Sequence, residues 1–110
     1  MLFVVQFVDV YANHPERLPE RDRHMAAHLA FLAEHSDRVV AAGALRSSPD
    51  GTPSGGIWIL NVESKVAAET LYKNDPFWQA GLRKSVVVSH WAKAFWSPSF
   101  ANCMTETGVG

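Results

Sequence analysis

Residues 2–10, LFVVQFVDV, are rich in Val and Phe and read as a β-strand, yet they carry apolar side chains on both faces. Successive side chains of a strand alternate, so Leu2, Val4 and Val8 fall on one side and Phe3, Val5 and Phe7 on the other. A sheet with one face in water shows a polar side along each strand. Any sheet built on this segment must therefore be covered twice, and that requirement constrains the fold more than any other stretch of the chain.

The remaining elements follow from local signals. A polar stretch from Tyr11 to Arg17 contains Asn13 and Pro15, and Pro19 is tolerated only in a first helical turn, so the first helix is expected from near Pro19 to about His35. Met25, Leu29 and Leu32 are expected on its buried face. Residues 38–46, RVVAAGALR, read as a second strand. The run SSPDGTPSGG at 47–56 is turn chemistry, and IWILNV at 57–62 is a third strand. Ser64 is a candidate N-cap for a helix of about ten residues bearing Val66, Ala67, Leu71 and Tyr72. After NDPFWQAGL at 74–82, the segment SVVVSHW at 85–91 is the fourth strand.

The order β-α-β-β-α-β is the ferredoxin-like, split βαβ arrangement of the α+β class, with four mostly antiparallel strands and both helices on one face. One domain is expected over residues 1–97, with an irregular tail over 98–110. Both helices on one side leave the other apolar face bare, and a second copy of the chain is the expected cover, which makes a homodimer.

At 110 residues and a net charge of −1, the chain has no basic stripe with which to meet a nucleic acid backbone. The apolar run at residues 2–10 is broken by Gln6 and Asp9, too short and too polar to cross a membrane or act as a signal core. A cytoplasmic protein is expected. The single Cys103 has no partner for an intrachain disulfide and reads as an incidental thiol.

Candidate chemistry gathers in two places. His24 and His28 lie one turn apart on the first helix, near Arg21. They may be read as imidazoles satisfied locally, as a metal pair that lacks a third ligand of supporting spacing, or as a general base suited to proton transfer near neutrality. A base gains from a carboxylate that fixes its tautomer and steadies the imidazolium. Asp75 is the candidate, unless it simply caps the short turn that Pro76 opens. Pro76 restricts the backbone of Asp75 to extended conformations and so aims its carboxylate.

In order and approximate spacing, Asp9, Arg17, the Arg21-x-x-His24-Met25 run, Ala42-Gly43-Ala44-Leu45, the glycine-bearing loop before Ile57-Trp58-Ile59-Leu60, and Asp75-Pro76-Phe77-Trp78-Gln79-Ala80-Gly81-Leu82 resemble the YCII (YciI-like) family. The resemblance spans residue 2 to about residue 95. It implies a dimeric α+β barrel and a His-Asp dyad, which the motif positions lay on His24 and Asp75, with His28 as the alternative bearer. The connection Glu34-His35-Ser36-Asp37-Arg38 departs from the family pattern in length and lacks its usual glycine, which leaves the register of the two histidines open.

The enzymatic role implied by the resemblance is a lyase-type dehydrochlorination of a chlorinated hydroxyquinol in the breakdown of chlorinated aromatics. His24, oriented by Asp75, would move a hydroxyl proton to a ring carbon before chloride leaves. Arg17, paired with Asp9, would hold the developing oxyanion, or else be an exposed ion pair of little energetic weight. Ser54, in preference to Ser48, would add a hydroxyl donor, unless it serves only the turn. Trp58, Phe77, Trp78 and Trp91 would bury an aromatic substrate or fill the core. No cofactor is expected, because phosphate loops, metal clusters and flavin or nicotinamide fingerprints are missing. The competing expectations are a cofactor-free monooxygenase or isomerase on an aromatic or lactone substrate, and a non-enzymatic dimer that binds a small molecule.

Overall fold

In a computed structural model that describes residues 1–100, the first strand is the hub of the sheet. Strand β1 (Leu2–Asp9) is flanked antiparallel by β3 (Gly55–Asn61) and β4 (Arg83–His90), and β2 (Val39–Leu45) pairs antiparallel with β3, giving the order β2-β3-β1-β4. Val5 stands opposite Trp58 on one side and Val88 on the other. This register puts Phe3, Val5 and Phe7 on the same face as Trp58 and Leu60, and all five are buried.

Helix α1 (Leu18–Glu34) connects β1 to β2, and helix α2 (Lys65–Lys73) with the four-residue helix α3 (Pro76–Gln79) connects β3 to β4. The result is the expected α+β fold with a four-stranded antiparallel sheet. Ser64 caps α2 as read from the sequence, its Oγ accepting the Ala67 N–H at 3.1 Å. Ala68, Leu71 and Tyr72 of α2 complete the main core over the sheet. Tyr11, Phe77 and Leu82 form a second, smaller core where α3 meets the end of β1. Gly81, at φ 72°, makes the left-handed turn from α3 into β4 that a Cβ would resist.

Three sequence expectations need correction. Strand β3 starts at Gly55, inside the stretch read as loop. A Cβ on Gly55 would lie 2.1 Å from the Phe7 carbonyl oxygen, so the residues that look like turn formers are those that allow β3 to close on β1. Strand β4 starts at Arg83, two residues earlier than expected. The buried residues of α1 are Arg21 and His28, while Leu29 is 41% exposed and Met25 and Leu32 are half-buried. At about 100° per residue, positions 21, 25, 28 and 32 share one stripe and position 29 falls off its edge. The stripe is centred on two polar residues, which an apolar count passes over.

The sheet face away from the helices holds half-buried Leu2, Val4, Ile57 and Ile59, with Val8, Leu45 and Val87 exposed. Among the described residues, no helix is long and apolar enough to cross a membrane. Residues 101–110, which include Cys103 and most of the expected tail, lie outside the described residues.

Candidate functional site

Asp75 occupies the N-cap position of α3 and Pro76 the first helical position, yet the Asp75 side chain makes no capping bond. Its backbone is extended, at φ −69° and ψ 136°, as the clash with a following proline ring favours. The carboxylate instead reaches into the protein, where Oδ1 lies 2.6 Å from Nδ1 of His28. Neither side chain is reached by solvent, at 0% exposure for His28 and 1% for Asp75. A carboxylate ion only accepts, so with Asp75 in that form His28 Nδ1 is the donor of this bond, and a neutral imidazole then presents its lone pair at Nε2. Nε2 has no partner.

The imidazole is held from two sides. Phe77, two residues after Asp75, stacks on it at a centroid distance of 3.9 Å and an interplanar angle of 7°. Trp58 of β3 stands at 6.2 Å. One short segment thus supplies the carboxylate and the ring that together fix the plane of His28.

His24, the residue expected to partner Asp75, is placed elsewhere. It is half-buried and, with Pro76, Gln79 and Ala80, lines an open cleft of about 290 Å³ beside α3. The physical reason is helical phase: His28 is in step with Arg21 and faces inward, whereas His24 sits on the flank of that stripe. Pairing with Asp75 accordingly belongs to His28.

Asp9 also has a different partner from the one expected. Its Oδ1 accepts from Nη1 of Arg83 at 2.8 Å, both side chains being 2% exposed. The antiparallel pairing of β1 with β4 sets Asp9 opposite Arg83, just past a register shift between Val8 and Asp9 that passes over Lys84 of β4. Arg17 instead donates through Nε to Glu20 on its own chain segment, and its Nη1 approaches the Gly81 carbonyl oxygen at 3.4 Å. Ser54 is exposed, and its Oγ donates to the Leu45 carbonyl oxygen at 3.3 Å. Ser48 donates to Asp50 in the same loop. Neither hydroxyl is directed at the dyad.

Sequence reasoning missed Arg83. Its guanidinium lies 4.3 Å from the Phe7 ring centre and 5.2 Å from that of Phe77. Arg21, buried on α1, lies 6.0 Å from the Phe77 ring centre. Nearby, burial above all and then the charge of Asp9 push the Tyr11 phenol up to about 12. Burial lowers the pKa of Arg21 for the converse reason, a desolvated cation being disfavoured. Among the described residues, no three His, Cys, Asp or Glu side chains gather as a metal site.

A model of the YCII-related domain matches residues 5–92. Among solved structures, the chain is similar to 5-chloro-2-hydroxyhydroquinone dehydrochlorinase from Burkholderia phenoliruptrix AC1100 in complex with 2,5-dihydroxybenzoquinone. Identity is 30% and the TM-score 0.72, with 86% of this chain and 96% of that chain covered. A protein from Arabidopsis thaliana is 17% identical with a TM-score of 0.40, over 87% of this chain and 97% of that one. Comparison with curated proteins returned no match.

Proposed function

The chain belongs to the YCII-related family, and on that premise we propose that it is a cofactor-independent dehydrochlorinase acting on a chlorinated hydroxyquinol, with His28 and Asp75 as its proton-transfer dyad. The observation that carries this reading is the 2.6 Å bond between His28 Nδ1 and Asp75 Oδ1, shut away from solvent, with Nε2 left unpaired. A base so arranged has its tautomer fixed on one nitrogen and its reactive lone pair free on the other. The Burkholderia enzyme, similar over most of both chains, supplies the substrate class.

The reaction requires no external oxidant. His28 Nε2 takes a proton from a ring hydroxyl, and the ring electrons move so that the carbon bearing chlorine is protonated, giving a dienone-like tautomer. A second hydroxyl then loses its proton as the carbon–chlorine bond breaks and chloride departs with the bonding pair. The net loss is one proton and one chloride ion, and the hydroxyquinol becomes a hydroxyquinone. Asp75 steadies the imidazolium in each transfer, and burial of the dyad strengthens that interaction by lowering the local dielectric. Pro76 acts through Asp75 by setting its backbone, and is a positioning residue.

A homodimer is proposed with it. The apolar sheet face with exposed Val8, Leu45 and Val87 is self-complementary in character, and a second copy is the simplest cover for it.

The test is anaerobic incubation of the purified protein with 5-chloro-2-hydroxyhydroquinone, reading chloride and the quinone chromophore together. One chloride per substrate, lost in a folded His28→Gln, is the expected result. No release above the uncatalysed rate would overturn the proposal, and release that requires oxygen would replace it with an oxygenase.

A further inference from the structure

Among the described residues, four buried donors or acceptors meet no partner: Nε2 of His28, Nε1 of Trp58, and Nε and Nη2 of Arg83. Native proteins pair the great majority of such atoms, because a buried donor or acceptor left without a partner loses its bond to water and gains nothing in return. These four are gathered in one place. His28 stacks on Phe77, the Arg83 guanidinium sits near both Phe77 and Phe7, and Phe7 packs edge-on against Trp58 at 5.4 Å. A Cβ on Gly56 would lie 3.1 Å from Nη1 and 3.5 Å from Nη2 of Arg83, so the guanidinium rests over bare backbone where any other residue would place a side chain.

Arg83 has Asp9 as its carboxylate. Arg21, 7% exposed and with its guanidinium 6.0 Å from the Phe77 ring centre, takes part in none of the ion pairs among the described residues. Asp9 is engaged by Arg83 and Asp75 by His28, so Arg21 has no directly bonded carboxylate among the described residues, in surroundings where a charge without a close partner is costly. The pKa of Arg21 is lowered chiefly by burial, with the fields of Arg46 and Arg83 acting in the same direction and those of Tyr11 and Asp9 opposing it.

We propose that Arg83 and Arg21, with the Trp58 Nε1–H as a neutral donor, form an anion pocket that receives a deprotonated ring oxygen and brings the ring to His28 Nε2. This rests on the proposed function and deepens it by naming the ionic form that binds: an acidic hydroxylated ring such as a hydroxyquinone, and not a neutral phenol. A planar guanidinium with two free N–H groups suits an oxyanion spread over conjugated ring oxygens. The expected role of Arg17 passes to Arg83, whose donors are buried and free where those of Arg17 are engaged with Glu20 and directed at Gly81.

The test is calorimetric titration with 2,5-dihydroxybenzoquinone, an anion near neutrality, and with hydroquinone, which is neutral there. Wild type should bind the anion at least about tenfold more tightly than the neutral ring, a difference typical of one charge-assisted contact. Arg21→Gln and Trp58→Phe, which leave the Asp9–Arg83 pair intact, should each weaken binding of the anion about three- to tenfold or more with circular dichroism unchanged. His28→Gln should abolish turnover with a much smaller change in affinity. Equal affinity for both rings, no binding to the wild type, or unchanged affinity in both folded Arg21→Gln and Trp58→Phe would overturn the pocket. The titration needs no turnover. Arg21-dependent binding without chloride release would sink the proposed reaction and leave the pocket standing, and chloride release without Arg21 dependence would do the reverse.

Discussion

Asp75 stands at the start of a helix and gives its carboxylate not to that helix but to His28, 47 residues earlier in the chain. A cap would be satisfied with Ser or Asn in its place; a partner for a buried imidazole would not. His28→Gln and Asp75→Asn should therefore each lower kcat by about 10²- to 10⁴-fold, the range for a lost general base or a lost tautomer control. His24→Ala, outside the dyad, should stay within about twofold of wild type. Steady-state kinetics on variants of native circular dichroism decide this, and a wild-type kcat in folded His28→Gln would remove the dyad.

The choice between the two histidines shows how much of the site the sequence carried. The fold was readable because it rests on local patterns: the two-faced apolar strand at 2–10, the turn residues at 47–56, of which the last two belong to β3, and the Ser64 cap. The carboxylate was readable because Pro76 limits where Asp75 can point. The imidazole was assigned by a short motif, Arg21-x-x-His24, when helical phase from Arg21 through Met25 to Leu32 already pointed to His28. The pairing of Asp9 with Arg83 had no comparable signal. It depends on a register between two strands 74 positions apart and on a bulge after Val8, and neither is written in any local stretch.

The Asp9–Arg83 pair is buried on both sides, so losing one partner leaves the other charged in a low dielectric. Asp9→Leu and Arg83→Met should each destabilise the fold by about 3–5 kcal/mol, and the double variant Asp9→Leu/Arg83→Met should recover a large part of that loss. Urea unfolding of the four proteins closes the cycle. Additive losses would mean that the two side chains do not depend on one another.

Tyr11 makes stability depend on pH on the alkaline side. Its phenol titrates at about 12 in the fold against 10.0 ordinarily, so the folded state holds this proton more tightly than the unfolded chain. The contribution is complete below pH 10 and is lost as pH rises through about 12, amounting to about 2–3 kcal/mol at about 1.4 kcal/mol per unit. Tyr72 is shifted in the same direction by burial, so the useful comparison is with Tyr11→Phe. Thermal melts from pH 9 to 12 should fall less steeply in Tyr11→Phe, and identical slopes would refute the assignment.

At Gly55 the backbone of β3 lies tight against that of β1. A methyl group there would stand 2.1 Å from the Phe7 carbonyl oxygen, and the obstacle is backbone rather than a side chain that can turn away. Gly55→Ala should cost at the severe end for a point change, about 3–5 kcal/mol, with activity falling too because β1 and β3 carry Asp9 and Trp58. Gly43→Ala, where a Cβ meets nothing within 4 Å, is the matched control and should change stability by less than about 1 kcal/mol. Chemical denaturation of the two variants provides the comparison.

The sheet face opposite the helices gives the last prediction. Val87 is 59% exposed and Val8 47%, on neighbouring strands of a face that also holds half-buried Leu2, Val4, Ile57 and Ile59 beside exposed Leu45, Gln6, Ser85 and Ser89. Covering such a face with a second copy removes it from water at about 25 cal/mol per Å², and a charge placed at its centre must be desolvated for the copies to meet. Light scattering on the wild type should report twice the chain mass at micromolar concentration, and Val87→Glu should shift the equilibrium toward the chain mass without altering the secondary structure. A wild type that runs as a monomer at those concentrations would exclude the homodimer and leave the face for a different partner.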